Sequence, residues 1–535
     1  MTERGARRTG ETRKASPRRA RRSVAIASPD FRSGRSLRRG RPPLRGAIVA
    51  WLAALLLVGC ATVTNPVTGE REFTVLSTAE EVRLGQQSAQ AVKEQIGLVR
   101  APKLERVVNA IGERLAALSP RQDVSYRFAV ADMPEPNAFA LPGGWIYVSR
   151  GLLTITQSET ELANVMGHEV GHVAALHAAQ RQTRSTWVGL GTVLGTAAAS
   201  VLGGGAAAQG AAQLGQVVGA GLIASYSRDQ ERQADQVGQD LSARGGWDPA
   251  GMASFLHTLE RWSTLKTGEP RLPTFLDSHP MTSERVQTTR TRAAQISKAE
   301  RPQVVGSREA FLRTLEGLLV GPDPAEGVVR EAAFLHPGLD LWMALAPGWQ
   351  TVNQPTALAS QAPGGEALWI LQAQGESGDP RRAAAAWLQQ NEVEVLQDSR
   401  APIGDWPAYS LRARGQSQSG PVELRLTWVA HPKLMLRLTG AASPARSDAY
   451  APTFERLARS LRPLTAAERR SITERRLRVV EARAGESLAA LSRRTGNAWG
   501  LEETAVANGL TVEARLAAGT PVKIAVEQPY RPESS

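Results

Sequence analysis

Five residues, His168-Glu169-Val170-Gly171-His172, combine two metal-ligating side chains with a carboxylate at a spacing that has chemical consequences. On a helix, positions i and i+4 share a face, so His168 and His172 can hold one Zn²⁺ between them. Glu169 then stands beside the metal, where it can take a proton from water. A helix is predicted here: Ser158 and Glu161 have capping-box spacing, and Leu162, Val165, Met166, Val173 and Leu176 recur at helical intervals. The bland alternative is a helix with two surface histidines and a glutamate.

A catalytic zinc needs three protein ligands and one position left for water. His177 follows the pentad at an unsuitable spacing and is expected to pack or to support a ligand. Further on, Glu231 and Asp235 share a helical face by the same i, i+4 rule; one could ligate zinc while the other orients a ligand histidine. Alone, two carboxylates on an arginine-containing helix read as a solvated face. His257, His336 and His431 have no motif around them.

The pentad and the segment Ser227–Asp235 together resemble the zinc metalloendopeptidase family that includes HtpX and the CAAX prenyl proteases, with HExxH followed by ExxxD. The resemblance implies Glu231 as third zinc ligand, beside His168 and His172, and one Zn²⁺ per subunit. Asn137-Ala138-Phe139-Ala140-Leu141 and the run from Ile146 to Leu153 are similar to the family's strand and turn before the active-site helix. Asn137, Ala138 and Phe139 would then form an edge strand able to pair with an extended substrate. Ser278-His279-Pro280 with Arg285 is similar to the family's late motif, which implies both side chains at the cleft. The catalytic set expected is Glu169, Asp235, His279 and Arg285. Gln233 departs from the Glu of many relatives. The similarity covers residues 62–300, and the CAAX branch itself does not fit a core without several membrane spans.

One cysteine occurs, and its neighbours give it meaning. Ala47–Val58 is an apolar run preceded by Arg45, the pattern of a signal peptide, and Leu57-Val58-Gly59-Cys60 resembles a bacterial lipobox. That implies cleavage before Cys60 and its lipidation, with the run well short of the ~20 apolar residues a span requires. Acyl chains would hold the protein on a membrane. Ala61, rather than Asp, after the cysteine favours the periplasmic face of the outer membrane.

The formal charge of +13 suggests nucleic acid or anionic membrane at first sight. Residues 1–46 hold 15 Lys and Arg against 3 Asp and Glu, which leaves 49 basic and 48 acidic residues elsewhere. The excess is an N-terminal arm, read as disordered, and no nucleic-acid partner is expected.

The expected organisation is multidomain. Residues 1–59 are arm and signal peptide, and 60–300 a mainly α zincin-type metalloprotease core with a small β-sheet. Within that core, residues 185–227 carry no charge and are rich in Gly and Ala. A helical hairpin over the cleft, a membrane-dipping hairpin and a loose loop all fit this insert, the first best. Residues 325–465 alternate apolar and polar in short runs, as in an α+β accessory domain; Ala346-Pro347-Gly348-Trp349 and Ser460-Leu461-Arg462-Pro463 resemble PsbP-type domains. Residues 475–527 resemble a degenerate LysM peptidoglycan-binding module in β-α-α-β order, with Glu486 in place of the usual Asp.

These readings converge on a lipid-anchored zinc endopeptidase of the bacterial envelope, of the BepA/LoiP-like branch, acting on misfolded or misassembled envelope polypeptides. Its partners are polypeptide substrates, the membrane through the anchor and, through the last module, peptidoglycan. The alternative is an envelope assembly factor or peptidoglycan-associated scaffold with incidental proteolysis.

Overall fold

A computed structural model describes residues 61–183, 225–266, 274–280, 283–330, 332–355, 357–417 and 420–532. The arm and signal segment, Cys60 and the uncharged insert as far as residue 224 lie outside these residues.

The described chain opens with a hairpin, β1 (Ala61–Thr64) and β2 (Arg71–Thr74), followed by α1 (Thr78–Gln95) and α2 (Pro102–Leu118). Pro102 sits at the start of α2, where its missing N–H removes no helical bond. A small sheet comes next: β3 (Arg127–Ala131), β4 (Ala138–Leu141) and β5 (Trp145–Ser149). Its order is β3-β5-β4, with β3 parallel and β4 antiparallel to β5, so β4 is an edge strand.

The helices that carry the chemistry follow. They are α3 (Arg150–Ile155), α4 (Glu159–Ala174), α5 (Arg228–Gly245), α6 (Gly251–Leu265), α7 (Phe275–Ser278) and α8 (Ser283–Ala293), then α9 (Arg308–Thr314). Helix α4 is buried along almost its whole length. Its cap differs from the expected box in one half. Ser158 accepts from the Glu161 N–H, but the Glu161 carboxylate reaches past Ser158 to accept from Gln157 N at 2.8 Å. That carboxylate is buried against α6, which draws it off the solvent-side geometry of a reciprocal box.

Strand β6 (Leu319–Val320) leads to the accessory region. There β7 (Val328–Val329), β8 (Ala333–His336) and β9 (Leu341–Ala344) form one sheet. A seven-stranded antiparallel sheet is built from β10 (Gln350–Gln354), β11 (Ala357–Gln361), β12 (Ala367–Ala373), β13 (Glu394–Arg400), β14 (Ala408–Ser417), β15 (Gly420–Ala430) and β16 (Met435–Ala442). Its order is β10-β11-β12-β16-β15-β14-β13. The alternating runs Leu341–Ala344, Ala367–Ala373, Gly420–Ala430 and Met435–Ala442 are all strands. Helices α10 (Pro380–Leu388) and α11 (Pro444–Arg459) cover the sheet. Helix α11 carries Pro452 inside, eight positions after its start. Packing of Phe454, Leu457 and Ala458 into the sheet's core outweighs the lost backbone bond.

After α12 (Ala466–Arg470) the chain forms β17 (Thr473–Glu481), β18 (Glu486–Ser487), α13 (Leu488–Thr495), α14 (Leu501–Ala507), β19 (Arg515–Leu516) and β20 (Pro521–Pro529), with β17 and β20 paired. The β-α-α-β order agrees with the sequence reading. The surroundings were not foreseen: β17 also pairs with β6, and the protease core runs past residue 300 into this module. Leu477, Val479, Trp499, Ala507 and Ala525 lie in one core with Leu162 and Val165 of α4. Each large apolar side chain buried there contributes about 1.5–3 kcal/mol as an upper bound.

Candidate active site

Two helices meet face to face at the pentad because glycines let them approach. A methyl group on Gly167 would lie 2.9 Å from Gly238 O, and one on Gly238 would lie 2.6 Å from His168 N. Gly171 is equally close to Ala234. Each of these α4 glycines precedes a histidine, so the close crossing brings His168 and His172 onto the face of α5 that carries Glu231 and Asp235. Ser227 and Gln230 form a reciprocal capping box that starts α5 one turn before Glu231.

Four donor atoms converge there. His168 Nε2 is 3.0 Å from His172 Nε2 and 3.2 Å from His279 Nδ1. Glu231 Oε1 is 2.9 Å from His279 Nδ1 and 3.3 Å from His172 Nε2. All four side chains are buried. Tetrahedral zinc with bonds of about 2.0–2.1 Å places its ligand atoms about 3.3 Å apart, so this constellation is the right size and the right N/O chemistry for such an ion. Electron-rich nitrogen and oxygen atoms crowded this closely are stable around a cation. Among the described residues it is the one cluster that could hold a metal.

The supports are ordered. Asp235 Oδ1 lies 2.9 Å from His168 Nδ1, which turns Nε2 towards the cluster. Arg285 bonds Asp235 through Nε at 2.6 Å and Nη2 at 2.8 Å, and its Nη1 lies 2.6 Å from Glu231 Oε2. Arg285 therefore braces two carboxylates; its place at the cleft was expected, its bracing role was not. His279 is stacked on Phe275 at 4.1 Å, and His172 on Tyr226 at 3.8 Å. Both aromatic residues went unnoticed in the sequence, although each lies within five residues of a motif position.

Glu169 is wholly buried and neither carboxylate oxygen accepts a hydrogen bond. Its nearest charged-type neighbour is His279 Nε2 at 3.5 Å. Burial raises its pKa, against the pull of His279 and His168. Burial would also raise Glu231, but His279, His172 and His168 hold it far below the usual carboxylate range. For His279 burial acts downward, and the Glu231 and Glu169 carboxylates outweigh it and raise the pKa. Burial lowers His172 well below its ordinary value and His177 to about 4.

The structure thus brings together His168, Glu169, His172, Glu231, Asp235, His279 and Arg285. Asn137, Ala138 and Phe139 lie beside that cluster, at the start of β4 and next to Pro136, whose carbonyl accepts from Phe275 N at 2.9 Å. Asn137 exchanges backbone and side-chain bonds with Ser149, and β4, though an edge strand, is buried along its length. His257 is exposed, and His336 and His431 lie in the accessory region.

An HExxH helix completed by a glutamate from a second helix defines a zincin-type metal centre. The chain belongs to peptidase family M48, whose pattern matches residues 102–293. It is 32 % identical over 287 residues to the beta-barrel assembly-enhancing protease of Escherichia coli, covering 50 % of this chain and 55 % of that protein. It is 30 % identical to the metalloprotease LoiP of Escherichia coli, over 46 % of this chain and 96 % of LoiP. The mitochondrial metalloendopeptidase OMA1 of Schizosaccharomyces pombe is 27 % identical over 42 % of this chain and 64 % of its own length. The chain spans about half the length of the beta-barrel assembly-enhancing proteases of Escherichia coli and Shigella flexneri that it matches. Among solved structures, it is similar to CyanoP of Synechocystis at a TM-score of 0.22 and 9 % identity, over 26 % of this chain and 95 % of that one, a likeness too slight to carry an argument.

Proposed function

We propose that this protein is a zinc-dependent endopeptidase that hydrolyses misfolded or misassembled cell-envelope polypeptides. The observation that carries the reading is the convergence of four buried donor atoms beside a carboxylate with no hydrogen-bond partner. His168, His172 and Glu231 would hold one Zn²⁺, which supplies Lewis acidity to the scissile carbonyl and lowers the pKa of water. Glu169, buried and made more basic by that burial, takes the proton of the attacking water and returns it to the leaving amine. Asp235 fixes His168, and Arg285 fixes Asp235 and Glu231. His279 would be a fourth protein ligand, the count of a closed site. We read this as a resting arrangement. Withdrawal of His279 opens a position for water and frees its ring, or a released Arg285 nitrogen, to face the developing oxyanion.

The setting is proposed with the same chemistry. Cys60 is the lipidated anchor, on the periplasmic face of the outer membrane. Among the described residues no helix is long and apolar enough to cross a membrane. The relatives' names, a beta-barrel assembly-enhancing protease among them, support substrates in the envelope. Strand β4, with Asn137, Ala138 and Phe139, is the proposed pairing edge for substrate. The accessory domain is proposed as a PsbP-like binding module and residues 475–527 as a LysM-like module for peptidoglycan. A second reading, an assembly factor with incidental proteolysis, is favoured by an accessory domain with its own core and no catalytic cluster among its described residues.

Metal analysis and casein cleavage, with and without a chelator, test the enzyme reading. One zinc per chain and chelator-sensitive cleavage are expected; cleavage indifferent to chelator overturns it. Rescue of an envelope defect by Glu169→Gln as fully as by wild type would instead select the assembly factor.

A further inference from the structure

His172 is the end of a hydrogen-bond chain that the mechanism above does not use. His177 Nδ1 lies 2.8 Å from His172 Nδ1, and His177 Nε2 lies 2.8 Å from Gln233 Oε1. Both histidines are enclosed, at most 1 % exposed, and Gln233 is half-buried.

The backbone is bent to make this contact. In a continuous helix His177, five positions after His172, would point about 140° away from it. Helix α4 instead ends at Ala174, and Leu176 adopts φ 61°, the left-handed conformation that non-glycine residues disfavour. The chain then resumes a helix over 177–183 with His177 turned back onto His172. Asn65 and Gln180 both donate to Ala175 O and hold the bend. A disfavoured residue kept in a buried bend, tied by two side chains, marks a position whose geometry the site requires.

The order of protons along the chain follows from donor chemistry. A carboxamide oxygen only accepts, so the bond to Gln233 Oε1 puts the His177 proton on Nε2. A neutral His177 then has a bare Nδ1. Two Nδ1 atoms 2.8 Å apart share one proton, and His172 must supply it. His172 is left with a bare Nε2, the atom that faces Glu231 and His168.

We propose that Gln233 and His177 are positioning residues that fix the tautomer of His172, so that its Nε2 reaches the metal without a proton. The inference rests on the reading of His172 as a zinc ligand. It makes α5 the support of both ligand histidines: Asp235 acts directly on His168, and Gln233 acts through His177 on His172. One support is anionic and the other neutral. A carboxylate at 233 would serve the same purpose, because it too only accepts.

The test is Zn²⁺ affinity of the full chain, measured by competition with a chelating dye, together with ¹⁵N-histidine spectra of the metal-free protein. Gln233→Leu and His177→Phe are expected to weaken zinc binding about 10–100-fold, whereas Gln233→Glu binds at least as tightly as wild type. In the wild-type spectra His177 should carry its proton on Nε2 and His172 on Nδ1. Equal losses in Gln233→Leu and Gln233→Glu, unchanged affinity in all three variants, or the opposite tautomers overturn the inference. The spectra need no variant, so misfolding of one leaves the test intact. His172→Ala separates the two readings. If it leaves zinc binding unchanged, the ligand assignment itself fails; if it abolishes binding while the relay variants do not, the relay alone fails.

Discussion

Two regions of this molecule bury a carboxylate against arginine, to opposite ends. In the cleft, Glu231 and Asp235 are braced by Arg285. In the seven-stranded sheet, buried Glu423 on β15 receives Arg412 at 2.8 Å and Arg414 at 3.1 Å. Around Glu423 the donors answer the acceptors. In the cleft the carboxylates support histidines whose free nitrogens converge, and neither Glu169 oxygen accepts a hydrogen bond, His279 Nε2 standing 3.5 Å away. Burial of charge therefore does not mark function here. The convergence of four donor atoms on one point beside Glu169 does.

The strongest test of that contrast is Glu169→Gln. It should keep zinc and lose casein cleavage by about 10²–10⁴-fold; retained turnover would place the base elsewhere. Next, Asp235→Asn removes the anionic support of His168 and should reduce zinc affinity or activity about 10–100-fold, read by dye competition and cleavage rate. A loss no greater than that of a surface Asp would equate the cleft with the sheet.

A third buried charge lies between the two kinds. Lys523 on β20 donates to Thr154 O at 2.8 Å and Thr156 O at 2.6 Å, and burial lowers its pKa to about 7. Below pH 7 folded and unfolded chains are both protonated and the full cost of the buried charge is felt. Between about 7 and the ordinary 10.5 the folded lysine has lost its proton while the unfolded one keeps it, so stability rises with pH. The melting temperature of wild type should gain on Lys523→Met from pH 7 to pH 10, and a constant gap would refute the assignment.

The smallest effect belongs to the sheet. Burial would raise Glu423, but Arg412, Ser447 and Arg414 bring it down to about 2. Its contribution is present above pH 4.5 and disappears as pH falls through about 2. Its arginines are 32 % and 47 % exposed, so solvent screening limits the loss in Glu423→Gln to about 1 kcal/mol. Casein cleavage should be untouched; a fall in activity would mean that the sheet and the cleft are coupled.

Much of the cleft was legible in the sequence because its spacing is local. His168, Glu169 and His172 lie on one helix and Glu231 and Asp235 on another, and i, i+4 periodicity places both sets. The accessory strands were legible for the same reason, through alternation. The bend at Leu176 was not, since nothing in Ala174-Ala175-Leu176 announces a left-handed residue; its cause is the tertiary grip of Asn65 and Gln180. Nor was the return of the last module to the protease. Its contact residues, Leu477, Val479 and Trp499, look like any strand or helix interior. Only the glycines 167, 171 and 238, each opposite a close neighbour, could have signalled the α4–α5 crossing beforehand.

The bond from Lys523 to Thr154 spans 369 positions, and it has a consequence in time. At about 5–20 residues per second, roughly 20–70 s separate the synthesis of the two partners. For most of that interval the core around the catalytic helix lacks Leu477, Val479, Trp499 and Ala525. A nascent chain would thus carry an incomplete core around its catalytic helix until this module is made, a delay written into topology rather than into any separable inhibitor.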